Sequence, residues 1–127
     1  MQLVVLPDKL AVCRLLPSED VPAWVWREKS LVSITYTVDE LSIVCASEHV
    51  PDDVQCERGW RAMKVQGPLD FSLTGILAAI AAPLAGADIA IFALSTYDTD
   101  YILVKEDTLQ QAVTVLRQYG HVFEEEA

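Results

Sequence analysis

The sequence predicts an α+β fold made of two βαββαβ-type units packed side by side, and three observations indicate it. Short β-rich apolar runs alternate with two longer Ala- and Leu-rich helical patterns. Tight polar clusters join neighbouring apolar runs into hairpins. The hairpin at 37–45 matches the hairpin at 97–105 at an offset of 60 residues, which indicates an internal repeat. Each unit is too small to bury a core comfortably alone, so the two are expected to pack together, with bounds of 1–59 and 60–127.

The first unit is predicted to contain short strands and little helix. Its apolar runs predict strands at 3–6, 10–16, 31–37 and 41–46. We expect the first two strands to pair with each other, because the turn residues 7–9 lie between them. Cap residues followed by Pro22 predict a short helix over about 20–29. The second helix of this unit is predicted to be reduced to one turn at most.

The second unit is predicted to carry the longer helices. A strand at 60–66 ends at a Gly-Pro pair, and Asp70 is expected to cap the helix that follows. Apolar residues at helical spacing form one face of that helix: Leu73, Ile76, Leu77, Ile80 and Leu84. Strands at 89–95 and 101–105 then form a hairpin, and a capping box at 107–110 predicts the start of the last helix.

Composition and charge exclude several classes of function. The chain has 127 residues, and its 52% hydrophobic content predicts a folded protein with a buried core. The net charge of −10, with Lys and Arg scattered singly, argues against a nucleic-acid partner. The sequence contains no apolar run long enough to span a membrane, and its first residues lack the pattern of a signal peptide. We therefore expect a soluble cytoplasmic protein without a membrane partner.

The cysteines predict neither a metal site nor a cofactor site. Cys13, Cys45 and Cys56 form no C-x-x-C pair, and only two histidines accompany them. Cys13 and Cys45 lie in apolar runs and are expected to be core residues, whereas Cys56 is the candidate for exposure. We expect no bound metal and no cofactor.

The most informative segment is the hairpin whose polar turn reads Ser-Thr-Tyr-Asp-Thr-Asp over residues 95–100. It ends in two carboxylates and lies where a fold of this kind usually meets a small ligand. No nucleophile stands beside a base in this segment, so the pattern favours binding over catalysis. We expect no catalytic residues.

The chain resembles tandem ACT domains over most of its length. The resemblance rests on the βαββαβ order, on the Gly-Pro-Leu-Asp-Phe turn at 67–71, and on the string Ser-Thr-Tyr-Asp-Thr-Asp-Tyr-Ile-Leu-Val at 95–104. The subtype it resembles occurs in cellular arginine sensors and in the regulatory half of aspartokinases. The resemblance implies ferredoxin-like units, with antiparallel sheets, helices on one face, and amino-acid effectors held between domains.

The resemblance also implies a set of ligand-binding residues and a regulatory role. The implied residues are Gly67, Leu69, Asp70, Phe71, Ser95, Thr96, Asp98, Thr99 and Asp100, with Glu40 and Ser42 in the matching hairpin of the first unit. The implied function is a non-catalytic sensor that binds an amino acid and acts as a homodimer or through a protein partner.

The chemistry of these residues suits an amino-acid ligand. The ligand carboxylate can accept hydrogen bonds from backbone N–H groups at a helix start, where Gly67 lets the backbone approach closely. The ligand ammonium can donate to Asp70, Asp98 or Asp100. Phe71 can shield the pocket or stack on a guanidinium.

Simpler interpretations stay open for the same residues. Asp70 is also explained as a helix cap, and Asp98 and Asp100 as turn formers. Phe71 suits a core position, and Glu40 suits a solvated turn. The alternative function is therefore a structural or protein-interaction module without a ligand pocket. A small enzyme that uses the D-x-D at 98–100 to bind a metal–phosphate group has the weakest signal.

Overall fold

The structure is a computed structural model that describes residues 1–67, 69–70 and 74–124. It divides into two compact units, one of residues 8–60 and the other of residues 1–7 together with 61–127. Within the described residues, no helix has the length and apolar character required to cross a membrane.

Eight strands and two α-helices make up the described chain. In chain order they are β1 (Gln2–Val5), β2 (Leu10–Leu15), β3 (Ser33–Tyr36), β4 (Leu41–Ala46), β5 (Cys56–Val65), α1 (Ile76–Gly86), β6 (Phe92–Ser95), β7 (Asp100–Lys105), α2 (Glu106–Gln118) and β8 (Val122–Glu124). Short 3₁₀ turns lie at Ala23–Trp26 and Ser47–His49. The predicted α+β class is confirmed.

The unit of residues 8–60 is an antiparallel sheet with strand order β3-β4-β2-β5. Its core is apolar and includes two thiols: Ala11, Cys13, Val25, Leu41, Ile43, Cys45 and Val50. The helix predicted over 20–29 is only the four-residue 3₁₀ turn at Ala23–Trp26. That turn buries a single side chain, Val25, so one turn is enough to cover this part of the core.

The other unit has strand order β6-β7-β5-β1-β8, and both α-helices pack against its core. The segment β5-α1-β6-β7-α2-β8 has the predicted βαββαβ order, and β1 lies between the first and last strands of that series. The core combines strand and helix residues: Leu3, Met63, Val65, Ile80, Leu84, Ile89, Ile102, Val104, Ala112 and Leu116.

The N-terminal strand corrects two expectations. In the described pairings β1 does not pair with β2; it pairs antiparallel with β5 and parallel with β8. Residues 1–7 therefore belong to the C-terminal unit, not to the predicted unit of residues 1–59. The pairing partners are distant in sequence, so the short turn at 7–9 did not reveal them. The long strand β5 contributes residues 56–60 to one unit and residues 61–65 to the other.

Both α-helices begin differently from the prediction. The N-cap of α1 is Gly75, whose φ of 78° is a left-handed conformation that favours glycine, so Asp70 does not cap this helix. The predicted face residue Leu73 lies outside the described residues. The N-cap of α2 is Lys105 without a side-chain cap, so the capping box at 107–110 does not form. Two acids in the first turn of α2 instead complement the positive end of the helix dipole.

A histidine supplies the hydrogen-bond donor that Pro83 cannot supply within α1. Pro83 has no N–H, so it cannot donate to the carbonyl of Ala79 one turn earlier. The Nε2 of His121 lies 3.1 Å from that carbonyl oxygen, and His121 is 8% exposed. A carbonyl only accepts, so Nε2 carries the hydrogen and donates it. Gly120, with φ of 91°, ends α2 and turns the chain so that the ring reaches α1.

We predict that His121→Phe lowers the free energy of unfolding by about 0.5–1.5 kcal/mol, because the Ala79 carbonyl loses the donor of a part-buried hydrogen bond. Pro83→Ala restores a helical N–H for the same carbonyl. The double variant is therefore expected to lose less stability than the sum of the two single variants, as measured by urea unfolding. Additive losses would show that the two residues do not serve a common acceptor.

Candidate ligand-binding site

The turn of the β6–β7 hairpin is held closed by one threonine. Ser95 and Asp100 face each other at the end of the ladder, so the turn consists of residues 96–99. The backbone N–H of Thr96 donates to the carbonyl of Thr99 at 2.8 Å, and its hydroxyl donates to the same carbonyl at 3.1 Å. The N–H of Thr99 donates back to the Thr96 hydroxyl at 3.4 Å. These contacts give the turn a single closed conformation.

A buried hydroxyl attaches this turn to the end of β5. The Thr99 hydroxyl donates to the carbonyl of Val65 at 2.6 Å, and Thr99 is 4% exposed. This bond fixes where the turn lies relative to the point at which the chain leaves β5. The hydroxyl is therefore used within the protein, although Thr99 also lines the cleft described below.

The corner that follows β5 lies directly against the hairpin turn. The N–H of Leu69 donates to the carbonyl of Asp98 at 2.7 Å. A Cβ at Gly67 would lie 3.0 Å from that same carbonyl oxygen and 3.2 Å from the Thr99 Cβ, which is too close for most side chains. Glycine thus permits this approach without displacing either neighbour. The described part of the corner and the acidic hairpin turn therefore meet in space.

The corner, the start of α1 and the hairpin turn enclose a cleft of about 290 Å³. Its described lining residues are Leu69, Asp70, Gly75, Ile76, Leu77, Ser95, Thr96, Tyr97, Asp98, Thr99 and Asp100. Gly67 does not line the cleft but supports its wall by packing against the turn. Phe71 lies outside the described residues.

The lining combines negative charge with a helix start. Asp98 is exposed, and Asp100 accepts a hydrogen bond from the Ser95 hydroxyl at 2.6 Å, which orients its carboxylate. The described lining residues include three carboxylates, Asp70, Asp98 and Asp100, and no Lys, Arg or His. The same lining includes the first turn of α1, whose backbone N–H groups have no acceptor within the helix. The cleft can therefore hold a cationic group and an anionic group at the same time.

Sequence reasoning missed Gly75, Ile76, Leu77 and Tyr97 as lining residues. The first three were missed because α1 was expected to start earlier, which placed them inside the helix. Tyr97 was inside the quoted turn, and its 81% exposure is an unusual position for a large aromatic side chain. The sequence did indicate its exposure, because Tyr97 lies between the polar turn residues Thr96 and Asp98.

The matching hairpin belongs to the unit of residues 8–60 and is aligned differently from the prediction. The N–H of Thr37 donates to the carbonyl of Glu40 at 2.9 Å, which reproduces the contact between Thr96 and Thr99. Thr37 therefore corresponds to Thr96, one residue away from the predicted alignment. By this geometry Glu40 corresponds to Thr99 and Ser42 follows two residues later, within β4. A ligand role for Glu40 and Ser42 stays a prediction.

We predict that Gly67→Ala lowers the free energy of unfolding by about 1–3 kcal/mol, because the new methyl group must displace the Asp98 carbonyl or the Thr99 side chain. Gly86→Ala is the matched control, since a Cβ there meets nothing within 4 Å and the residue lies in a helix. The control is expected to be neutral or slightly stabilising in chemical denaturation. Equal effects of the two substitutions would refute a tight corner at Gly67.

The residues that line the cleft lie within a part of the chain that matches a known family. The profile of the ACT domain family matches residues 55–118, and a second profile, described as an N-terminal domain, matches residues 8–53. The cytosolic arginine sensor for mTORC1 subunit 1 from Homo sapiens is 43% identical over 60 residues, and the mouse protein is 40% identical. The aligned part is 46% of this chain but only 18% of either sensor.

Solved structures share the fold. A structural-genomics protein from Agobacterium tumefaciens is 40% identical, with a TM-score of 0.92 over 99% of this chain and 93% of that one. The ligand-free regulatory subunit of aspartate kinase from Thermus thermophilus has a TM-score of 0.59 at 10% identity, over 88% of this chain and 93% of that one, which shows likeness of fold alone. With half of its length matched by the family profile and the ferredoxin-like order in place, the chain belongs to the ACT domain family.

Proposed function

We propose that this protein is a regulatory sensor that binds a free amino acid in the cleft between the hairpin turn and the start of α1. The observation that carries the proposal is the arrangement of charge in that cleft. Three carboxylates on the hairpin and the corner line the same cleft as the start of α1. An amino acid is the common small molecule that presents an ammonium and a carboxylate together.

The two ends of the cleft fit the two ends of such a ligand. The ammonium, or a basic side chain, donates charge-assisted hydrogen bonds to Asp98 and Asp100. The carboxylate accepts from backbone N–H groups in the first turn of α1, where the helix dipole is positive. Ile76 and Leu77 supply apolar contact for the aliphatic part. The volume of about 290 Å³ lies at the small end of ligand pockets, which favours a ligand of amino-acid size.

The relatives support a regulatory role and leave the ligand to experiment. Two of them are an arginine sensor and a regulatory subunit of aspartate kinase. Since the sensor is matched over 18% of its length, arginine is the first ligand to test and not a conclusion. We extend the proposal to a cytoplasmic protein that acts as a homodimer or through a protein partner. The packing of two ACT-like units in tandem stays a prediction.

Binding without catalysis is the version of this proposal that the lining residues support. The described lining contains no Cys, His or Lys, and its Ser95 hydroxyl is used in a hydrogen bond to the Asp100 carboxylate. Asp98 and Asp100 are also not part of a described group of three side chains able to hold a metal ion.

We predict that one or a few of the twenty amino acids raise the midpoint of thermal unfolding of the full chain. At a ligand concentration of 100 times Kd, the free energy of unfolding should rise by about 2.7 kcal/mol. Differential scanning fluorimetry provides the screen, and calorimetric titration confirms each hit. The absence of a shift with every amino acid would favour the alternative, a structural or interaction module whose cleft holds no ligand.

We predict that Asp98→Asn weakens binding of the identified amino acid by about 10–100-fold, because a charge-assisted hydrogen bond contributes about 1.5–3 kcal/mol. Asp52→Asn removes an equally exposed carboxylate from a loop of the other unit and serves as the matched control. The control is expected to bind as the unmodified protein does. Equal affinity of all three proteins would place the ligand elsewhere.

A further inference from the structure

The three cysteines lie on adjacent strands and on the same side of the sheet in the unit of residues 8–60. Cys13 is on β2, Cys45 is on β4, and both belong to the core cluster. Cys56 is on β5 and packs against that cluster from its edge. The sequence spacing gave no sign of this convergence, because strand pairing alone produces it.

Cys13 and Cys56 face each other directly in the antiparallel ladder between β2 and β5. At the next position the N–H of Arg14 donates to the carbonyl of Gln55 at 2.9 Å, which makes that pair a hydrogen-bonded one. Because the two kinds of pair alternate, Cys13 and Cys56 form a non-hydrogen-bonded pair. In such pairs the Cα atoms are about 4.5 Å apart, and disulfides need a separation of about 4.4–6.8 Å.

The ladder on the other side of β2 gives the same assignment. The N–H of Ser47 donates to the carbonyl of Lys9 at 2.9 Å, so Lys9 and Ser47 are a hydrogen-bonded pair of the β2–β4 ladder. Counting along that ladder in steps of two makes Cys13 and Ile43 a hydrogen-bonded pair as well. The backbone groups of Cys13 therefore point toward β4. On the β5 side, Cys13 has Cys56 as its directly facing, non-hydrogen-bonded neighbour.

Cys45 is placed differently from Cys56. It faces Ala11 on β2 and is therefore diagonal to Cys13. Diagonal neighbours on paired strands are about 7–8 Å apart, and cysteines whose Cα atoms are more than about 7 Å apart cannot be bridged without backbone movement. The ladder thus selects Cys56 as the partner of Cys13.

Exposure gives the two thiols different roles. Cys13 is 1% exposed, whereas Cys56 is half-buried and so within reach of a small oxidant. A hydrogen bond with Cys45 and burial raise the pKa of the Cys13 thiol well above its usual range. Cys13 consequently keeps its proton until a bond to another sulfur forms. The thiol that meets an oxidant first is that of Cys56.

We propose that Cys13 and Cys56 form an oxidative modification site at which a hydroperoxide converts the dithiol to a cross-strand disulfide. The Cys56 thiolate attacks the peroxide oxygen, the O–O bond breaks, and the products are a sulfenic acid and an alcohol, or water. The Cys13 sulfur then attacks the sulfenic sulfur, and its proton leaves with the hydroxyl group as water. The two sulfurs lose two electrons in total, and the peroxide gains them. This site is independent of the proposed cleft, which belongs to the other unit.

Hydrogen peroxide added to the reduced full chain tests the site. The three cysteines fall in separate peptides after cleavage at glutamate, because Glu19, Glu40, Glu48 and Glu57 separate them. Mass spectrometry of the intact chain should show loss of two hydrogens, and two of the three thiols should become unreactive toward maleimide. The digest should contain a Cys13–Cys56 linked peptide that dithiothreitol releases.

Two variants make the result specific. Cys56→Ser should abolish the linked peptide, and Cys45→Ser should retain it, with circular dichroism used to check that both variants are folded. Three outcomes would overturn the proposal: a bridge that includes Cys45, oxidation of Cys56 to a sulfinic acid without a bridge, or thiols that stay reduced in the native protein while the unfolded chain reacts.

Discussion

The cleft depends on one buried hydrogen bond, from the Thr99 hydroxyl to the carbonyl of Val65. Val65 is the last residue of β5 and is completely buried, so its carbonyl has little access to water if the hydroxyl is removed. The bond fixes the hairpin turn to the strand end, and the chain leaving β5 must then pass across the turn at Gly67. The sheet thereby positions the hairpin turn and the corner, two of the three elements that line the cleft. A site built in this way costs little ordering free energy when a ligand binds.

The same constraint explains why the acidic residues can be concentrated here. The carbonyl of Asp98 is occupied by the N–H of Leu69, and the carboxylate of Asp100 is oriented by Ser95, so the backbone geometry does not depend on the charges. Carboxylates that line one cleft repel each other and raise the cost of folding, but they favour a cationic ligand group by the same electrostatic interaction. The negative charge is therefore better explained by binding than by stability.

Sequence reasoning predicted the hairpins well and the longer-range contacts poorly. The strands at Leu41–Ala46 and Asp100–Lys105 follow from local β-rich runs and turn residues. The start of α1 was missed because Gly75 adopts a positive φ that no local pattern required. The place of β1 was missed because its partners β5 and β8 are far away in the chain. The site was predicted in outline since its two halves are each local, while the contact of His121 with Ala79 joins residues that no short motif connects.

A comparison of the two hairpins distinguishes the role of the turn in folding from its role in ligand binding. Both turns are closed in the same way by a threonine, at Thr37 and at Thr96. In each, the carbonyl of the third turn residue is an acceptor, but the donors differ. The guanidinium of Arg14 donates to Asp39 at 3.0 Å, whereas the backbone of Leu69 donates to Asp98. The donor is thus a long side chain in one unit and the backbone of the corner in the other. The turn is thus a folding element common to both units, and the Gly67 corner with the helix behind it is what converts one copy into a cleft.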